Sequence, residues 1–334
     1  MTAQRKDVWE VSEDDFPRES PIEAQIGFLL RYAILAPSVR NTQPWAFSVR
    51  GKRAHLFADF RKAQPVADPD RRELYLSIGC ALENLLVAAE HFGFWHGIAY
   101  FPERGAPDLV ATVTFEPGGT VSEARAGATL AAILKRHNDD GVFRPAPLPD
   151  ELRLRLFACC TEPDLQVLLT DDRHFRRWIE ILTLEADRAE LADPAFRREL
   201  TYWIGQGVFG SPPVRKQLKR AAAAGLEVAE PVAQRDHAVV KSAAVLGLIC
   251  GTGDSHLLHV RAGQLFERLW LTATTLGVSV NPMSQTMRHP QLRAAVGELL
   301  PSPGWVPQHL FRVGFGSSAA EEHTPRQSVD DVVV

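Results

Sequence analysis

Long apolar runs are missing from this sequence, so no segment reads as a membrane span. The first twenty residues, MTAQRKDVWEVSEDDFPRES, lack an apolar stretch and do not read as a secretory leader; a cytoplasmic location is expected. Cysteine is scarce. Cys80, Cys159, Cys160 and Cys250 make no C-x-x-C pair, and they read as small buried apolar side chains of a reducing compartment. The eleven histidines include no H-E-x-x-H and no Cys/His ligand spacing, so no metal site is expected. Positive charge is not in excess either. A formal net charge of -4 gives no general attraction to nucleic acid or anionic membrane. The phosphate loop G-x-x-x-x-G-K-[ST], the nucleophile elbow G-x-S-x-G and a complete G-x-G-x-x-G are all absent; Gly251-Thr252-Gly253 is only a fragment of the last.

What is present is an alternation of helical and strand patterns across 334 residues, of which 45% are apolar, enough for a sizeable core. Ile22 to Leu35 has a helical apolar period that Ala36-Pro37 ends. Trp45 to Val49 and Ala54 to Ala58 read as strands around a Gly51-Lys52 turn. Leu74 to Phe92, apolar on most sides, reads as a buried helix closed by Gly93. Strands are expected at 97–101 and 109–115, before the Pro117-Gly118-Gly119 break, then a helix at 129–135. Beyond a connector with Pro145, Pro147 and Pro149, helices are expected at 151–160, 172–192, 194–204, 257–276 and 289–300. Strands are expected at 165–169, 243–250, 279–280 and 309–313. The Gly-, Ala- and charge-rich stretch at 205–236 reads as an inserted arm or lid.

The two long apolar helices can be superposed without a gap. Gly79-Cys-Ala-Leu-Glu83 matches Gly263-Gln-Leu-Phe-Glu267, and Leu85, Ala89 and Gly93 fall on Leu269, Ala273 and Gly277. Each is followed by strands. An apolar helix of this length needs a partner, and its duplicate is a natural one. The expectation is an α+β fold of two similar halves about a pseudo-twofold axis, an intramolecular pseudo-dimer. Residues 1–20 form an extension, 21–120 the first half, and 121–334 the second half carrying the arm. Glu83 and Glu267 read as contacts between halves.

Four segments concentrate polar chemistry. Pro37-Ser38-Val39-Arg40-Asn41-Thr42-Gln43 lies at a helix-to-strand junction, a favoured place for ligands, though the same residues suit an ordinary turn. Arg136-His137-Asn138 could bind a phosphate, with Arg136 bidentate, or could be a solvated helix end. Asp139 and Asp140 would repel a phosphate and are expected to face elsewhere. Asn281-Pro282-Met283-Ser284-Gln285 could aim backbone N–H groups at a ligand or simply connect two elements. Arg326 stands in a polar tail, where an arginine is usually solvated.

The run APSVRNTQPWAFSV resembles the A-P-S-x-x-N-x-Q-P-W signature of flavin-dependent nitroreductases. The N-P-M-S-Q turn, the L-F-R-V-G-F strand and the P-R tail follow that family's order. VADPDRRELYLSIGCALENLLVAAEHFG and QLFERLWLTATTLGVSVNPMSQ look closest to its Acg-type branch, in which two units share one chain. The resemblance implies an FMN held between halves. Pro37, Ser38, Arg40, Asn41 and Gln43 would come from the first half. Arg136, His137, Asn138, Pro282, Met283, Ser284, Gln285 and Arg326 would come from the second. Arg40 would tune the flavin, and no side chain would serve as catalytic acid or base. The chain departs from the pattern where Arg136-His137-Asn138 replaces Arg-Arg-Ser and where Asp140 replaces a basic residue. The second-half counterpart of the signature loop reads Cys159-Cys160-Thr161-Glu162-Pro163, so one FMN per chain is expected, in a monomeric pseudo-dimer or weak homo-oligomer. The implied activity is NAD(P)H-dependent two-electron reduction of small electron-poor acceptors by a ping-pong cycle. The alternatives are an FMN-storing protein covered by the arm and an oxidase or dehydrogenase of one metabolite.

Overall fold

The computed structural model describes residues 7–207, 238–316 and 323–334, so the expected arm lies outside the described residues from residue 208 onward. The first half runs α1 (Ile22–Ala33), β1 (Trp45–Arg50), β2 (Arg53–Ala58), α2 (Arg72–His91), β3 (Phe94–Tyr100) and β4 (Leu109–Pro117). After α3 (Leu130–Lys135), the second half repeats the scheme. It runs α4 (Asp150–Phe157), β5 (Leu165–Thr170), α5 (Arg173–Ala192), α6 (Pro194–Gly205), β6 (Val245–Gly251) and α7 (His256–Thr275). It continues with β7 (Ser279–Pro282), α8 (Gln285–Arg288), α9 (Pro290–Glu298), β8 (Val306–Gly314) and a short α10 (Val329–Val332).

The repetition extends to topology. The sheets have the orders β1-β2-β4-β3 and β5-β6-β8-β7, and every neighbouring pair is antiparallel. Each sheet has one register shift, between Leu56 and Phe57 on β2 and between Ile249 and Cys250 on β6. In each half the long helix joins the second strand to the third, and a left-handed glycine follows it, Gly93 or Gly277. The halves differ most between their first two strands. β1 and β2 are joined by a two-residue turn, whereas α5 and α6 lie between β5 and β6.

The long helices run side by side in the same direction. A Cβ on Gly79 would sit 2.0 Å from the Val260 carbonyl oxygen, and one on Gly263 would sit 2.0 Å from the Leu76 carbonyl oxygen. The two contacts are reciprocal, as a twofold axis between the helices requires. Backbone approach this close admits only glycine. Nearly all of α2 is consequently buried, and one apolar core joins both halves through the α2–α7 pair. A second core packs α5, α8 and α9 on the other face of the second sheet.

Local differences from the sequence reading are small and have clear causes. The helix expected at 289–300 is found at Pro290–Glu298, started by Pro290, and a further short helix, Gln285–Arg288, precedes it. Asn281 and Pro282 belong to β7 rather than to a turn. The polar tail turns back to the first sheet: Val333 bridges to Phe47, and the Val334 N–H donates to the Phe47 carbonyl at 2.8 Å. No helix among the described residues is long and apolar enough to cross a membrane.

Candidate functional site

The signature loop follows α1 and is held in strained backbone. Arg40, Asn41 and Gln43 have φ of 49°, 55° and 52°, a left-handed conformation that asparagine tolerates and the other two residues rarely adopt. Hydrogen bonds enforce it. The Gln43 N–H donates to Ser38 Oγ at 2.9 Å, and the Val39 N–H donates to Ser77 Oγ on α2 at 3.1 Å. The Asn41 and Gln43 side chains grip the C-terminal tail. Asn41 Nδ2 donates to the Pro325 carbonyl at 2.9 Å, Arg326 donates to Asn41 Oδ1 at 2.7 Å, and the Gln327 N–H donates to Gln43 Oε1 at 2.9 Å. Pro37 leads the chain into this loop.

Two guanidinium groups converge next to the loop. Arg136 Nη2 and Arg326 Nη2 both donate to the Leu35 carbonyl, at 3.1 Å and 3.3 Å. Asn41 and Arg136, far apart in sequence, thus meet across one carbonyl and one arginine. Arg136 is 4% exposed and lies over the Trp270 ring at 4.6 Å, so the solvated helix end is ruled out. Its nearest carboxylate is Glu267, 3.4 Å from Nε and fully buried. The group is electrostatically unfinished. Arg136 Nε, Arg326 Nε and both Glu267 oxygens are shut off from solvent without a hydrogen-bond partner. Burial, then the proximity of Arg136, pulls the Arg326 guanidinium down to about 9. Burial pushes the Glu267 carboxyl up to about 7, against the pull of Arg136. An anion between the two guanidiniums would favour their charged forms and offer partners to their unbonded Nε–H groups.

The remaining expected residues distribute around this centre. His137 is half-buried, its ring nitrogen Nδ1 3.2 Å from the Lys135 carbonyl. Asn138 accepts from Asn281 Nδ2 at 2.8 Å and donates to Asp140 at 2.9 Å. Asp139 accepts from the Gly141 N–H, so that carboxylate is engaged within its own turn. Behind them lies Arg312, fully buried over Phe143, donating to Asn281 Oδ1 and to the Asp139 and Gly141 carbonyls. Pro282 closes β7, and Met283 is buried in the second core. Ser284 Oγ donates to Glu73 on α2 at 2.8 Å, one turn from Ser77, and Gln285 opens α8. Arg40 faces the other way. It donates to Gln64 at 2.7 Å, pairs with Glu199 of α6 at 3.4 Å and covers the Phe196 ring at 4.6 Å. Burial, then Arg288, lowers its guanidinium to about 10.

Sequence reasoning missed Glu73, Ser77 and Arg312. The first two are one helical turn apart on α2, but a polar pair in a helix apolar on most sides is legible only once the helix face is known. Arg312 sits in a strand that otherwise reads as core.

The pseudo-equivalent region of the second half is built differently. Cys159, two residues past α4 as Leu35 is two past α1, presents its carbonyl to Arg268 Nη1 at 2.8 Å. Arg268 also donates to Glu83 at 2.7 Å and to Glu162 at 3.0 Å. Arg125 forks onto Glu83 at 2.8 Å and 3.0 Å and reaches Glu90 at 2.8 Å. Burial alone would raise the Glu83 carboxyl; Arg125 and Arg268 overcome it and hold it at about 2. Elsewhere, a cleft of about 570 Å³ opens beside the N-termini of α2 and α7, where Asp254 takes both Arg293 and His259. Among the described residues no cluster of three or more His, Cys, Asp or Glu could hold a metal ion.

No protein-family profile matches the chain. Full-length relatives do. Rv3131 of Mycobacterium tuberculosis, named as an NAD(P)H nitroreductase, is 30% identical over 316 residues, covering 91% of this chain and 90% of the relative. Acg of the same organism, named likewise, is 26% identical over 316 residues, covering 91% and 93%. Among solved structures, a nitroreductase with bound FMN from Desulfitobacterium hafniense DCB-2 is 14% identical with a TM-score of 0.41, over 62% of this chain and 95% of that one. The FMN- and NADPH-dependent nitroreductase NfnB from sphigopyxis sp. strain HMH is 15% identical with a TM-score of 0.43, over 61% and 96%. On the identity to Rv3131, sustained over nine-tenths of both chains, the protein belongs to the NAD(P)H nitroreductase family.

Proposed function

We propose that the chain is an FMN-dependent oxidoreductase that takes two electrons from NAD(P)H and passes them to a small electron-poor acceptor in a ping-pong cycle. The observation that carries this reading is the pair of incompletely bonded guanidiniums, Arg136 and Arg326, meeting on Leu35 beside a strained loop where the halves join. That donor set fits a flavin phosphate, which would supply the anion that Glu267 alone does not. The full-length relatives named as NAD(P)H nitroreductases support the same reading.

In this proposal Arg136 and Arg326 hold the phosphate, with His137 and Asn138 at its margin. Pro37, Ser38, Asn41 and Gln43 form one wall of the flavin site, and Pro282 to Gln285 another. Arg40 tunes the site from behind the loop. When bound, the flavin accepts a hydride and hands electrons on. The protein orients its partners, excludes water and offers fixed dipoles; no side chain is required as acid or base. The proposal includes one FMN per chain, a division into halves at residues 21–120 and 121–334, a pseudo-dimer that is monomeric or weakly self-associating, and a cytoplasmic setting. The test is anaerobic mixing of flavin-loaded protein with NADH or NADPH, followed near about 450 nm. Rapid bleaching, then recovery on adding a nitroaromatic or quinone, is the expected result. Colour that resists both nucleotides yet yields to dithionite would overturn the enzyme in favour of flavin storage.

A further inference from the structure

The N-terminal segment reaches the same centre. The Trp9 indole stacks on the His323 imidazole with centroids 3.9 Å apart and planes 12° from parallel. Trp9 Nε1 donates to the Thr324 carbonyl at 3.0 Å, and the Arg326 guanidinium lies over the indole at 4.9 Å. One side chain from the start of the chain thus touches three of the four residues from 323 to 326. Arg326 in turn reaches Asn41 and Leu35, the signature loop and the carbonyl it shares with Arg136. His323 lies in the same field: burial lowers its ring, and Arg136, Arg326 and His137 lower it further.

Arg326 needs such a brace. It belongs to a polar tail, where an unrestrained arginine would turn to water and surrender up to about 2 kcal/mol of rotamer entropy on every binding event. A guanidinium stacked on an indole keeps its planar fork aimed without spending its N–H donors. Its Nε has no hydrogen-bond partner despite all the bonds made by its other nitrogens. The indole is itself well founded. Val11 and Phe16, on the same segment, are buried in the main core, and Phe16 stacks on Phe92 at 4.1 Å.

We infer that Trp9, with His323, is a positioning element for the phosphate end of the flavin site: it holds Arg326 pre-aimed at the phosphate and so sets the preference for FMN over riboflavin, which lacks that group. The inference rests on the proposed flavin site and concerns a residue outside it. The Trp9 segment keeps its anchors in Val11 and Phe16, so Trp9→Ala is expected to fold.

The experiment titrates full-length protein, stripped of flavin, with FMN and separately with riboflavin, comparing the two dissociation constants in wild type, Trp9→Ala, Trp9→Phe and His323→Ala. Trp9→Ala should weaken FMN about 10-fold and leave riboflavin unchanged, the fraction of a charge-assisted bond lost when its donor is no longer aimed. Trp9→Phe keeps a ring for the stack and for Arg326 and should recover most of the loss. His323→Ala should fall between the two. Equal weakening of both flavins, as a merely structural role would give, or no weakening of either, overturns the role of Trp9. Wild-type protein that binds neither flavin overturns the flavin site instead, which keeps the two failures apart.

Discussion

The two pseudo-equivalent junctions differ in how their charges balance. At Cys159, Arg125 and Arg268 meet Glu83, Glu90 and Glu162, and each guanidinium is bonded to carboxylates. At Leu35, Arg136 and Arg326 face the single carboxylate of Glu267, which neither of them hydrogen-bonds. One duplicated scaffold has thus produced a fully bonded ion-pair network and a pair of guanidiniums incompletely matched by one carboxylate. Buried charges that are already matched gain little from a further ligand, whereas unmatched ones favour an ion of the opposite sign. Glu162, in the loop that replaces the signature, is the visible difference.

The comparison can be broken from either side. The largest effect is expected from Arg268→Ala, which strips Glu83 and Glu162 of a partner in a buried network. It should cost about 3–5 kcal/mol of stability, read by urea denaturation, while FMN affinity per folded molecule stays unchanged. Next come Gly79→Val and Gly263→Val, which push the long helices apart at reciprocal contacts. Each should cost about 3 kcal/mol, and equal losses are the signature of the twofold axis. Arg136→Ala should instead weaken FMN by about 10- to 100-fold, the worth of a charge-assisted bond; an unchanged affinity would remove Arg136 from the phosphate site.

A smaller effect sharpens the contrast between the carboxylates. With the Glu267 carboxyl raised from 4.5 to about 7, the folded chain keeps a proton that the unfolded chain releases. The stability this gives is complete below pH 4.5 and is lost as pH rises through about 7. Glu267→Gln in flavin-free protein should flatten the denaturation midpoint across that window. For Glu83, held at about 2, the sign is reversed: its contribution is present above its unfolded value and is lost only as pH falls toward 2. The smallest effect is expected from Arg40→Ala, about 1 kcal/mol of stability from its bonds to Gln64 and Glu199. If neither flavin affinity nor potential changes with it, Arg40 belongs to the packing of α6 and has no tuning role.

Much of this was legible in the residues. The superposable glycines and glutamates of the long helices announced the twofold architecture, because an apolar helix of that length needs a partner and its duplicate is a natural one. The reading of Glu83 as a contact between halves fits its bond to Arg268, on the long helix of the second half. The polar tail was harder: nothing in its composition shows that Arg326 lies against Asn41 and Trp9, because those contacts span the length of the chain.

The amino-acid sequence by itself determined most of the helices and strands and the duplication, because periodicity, glycine and proline act over a few residues. Only the tertiary structure decided which arginines are fully bonded to carboxylates and which keep unbonded donors. Charge balance in a buried site is a sum over residues brought together from everywhere in the chain, and no local pattern records it.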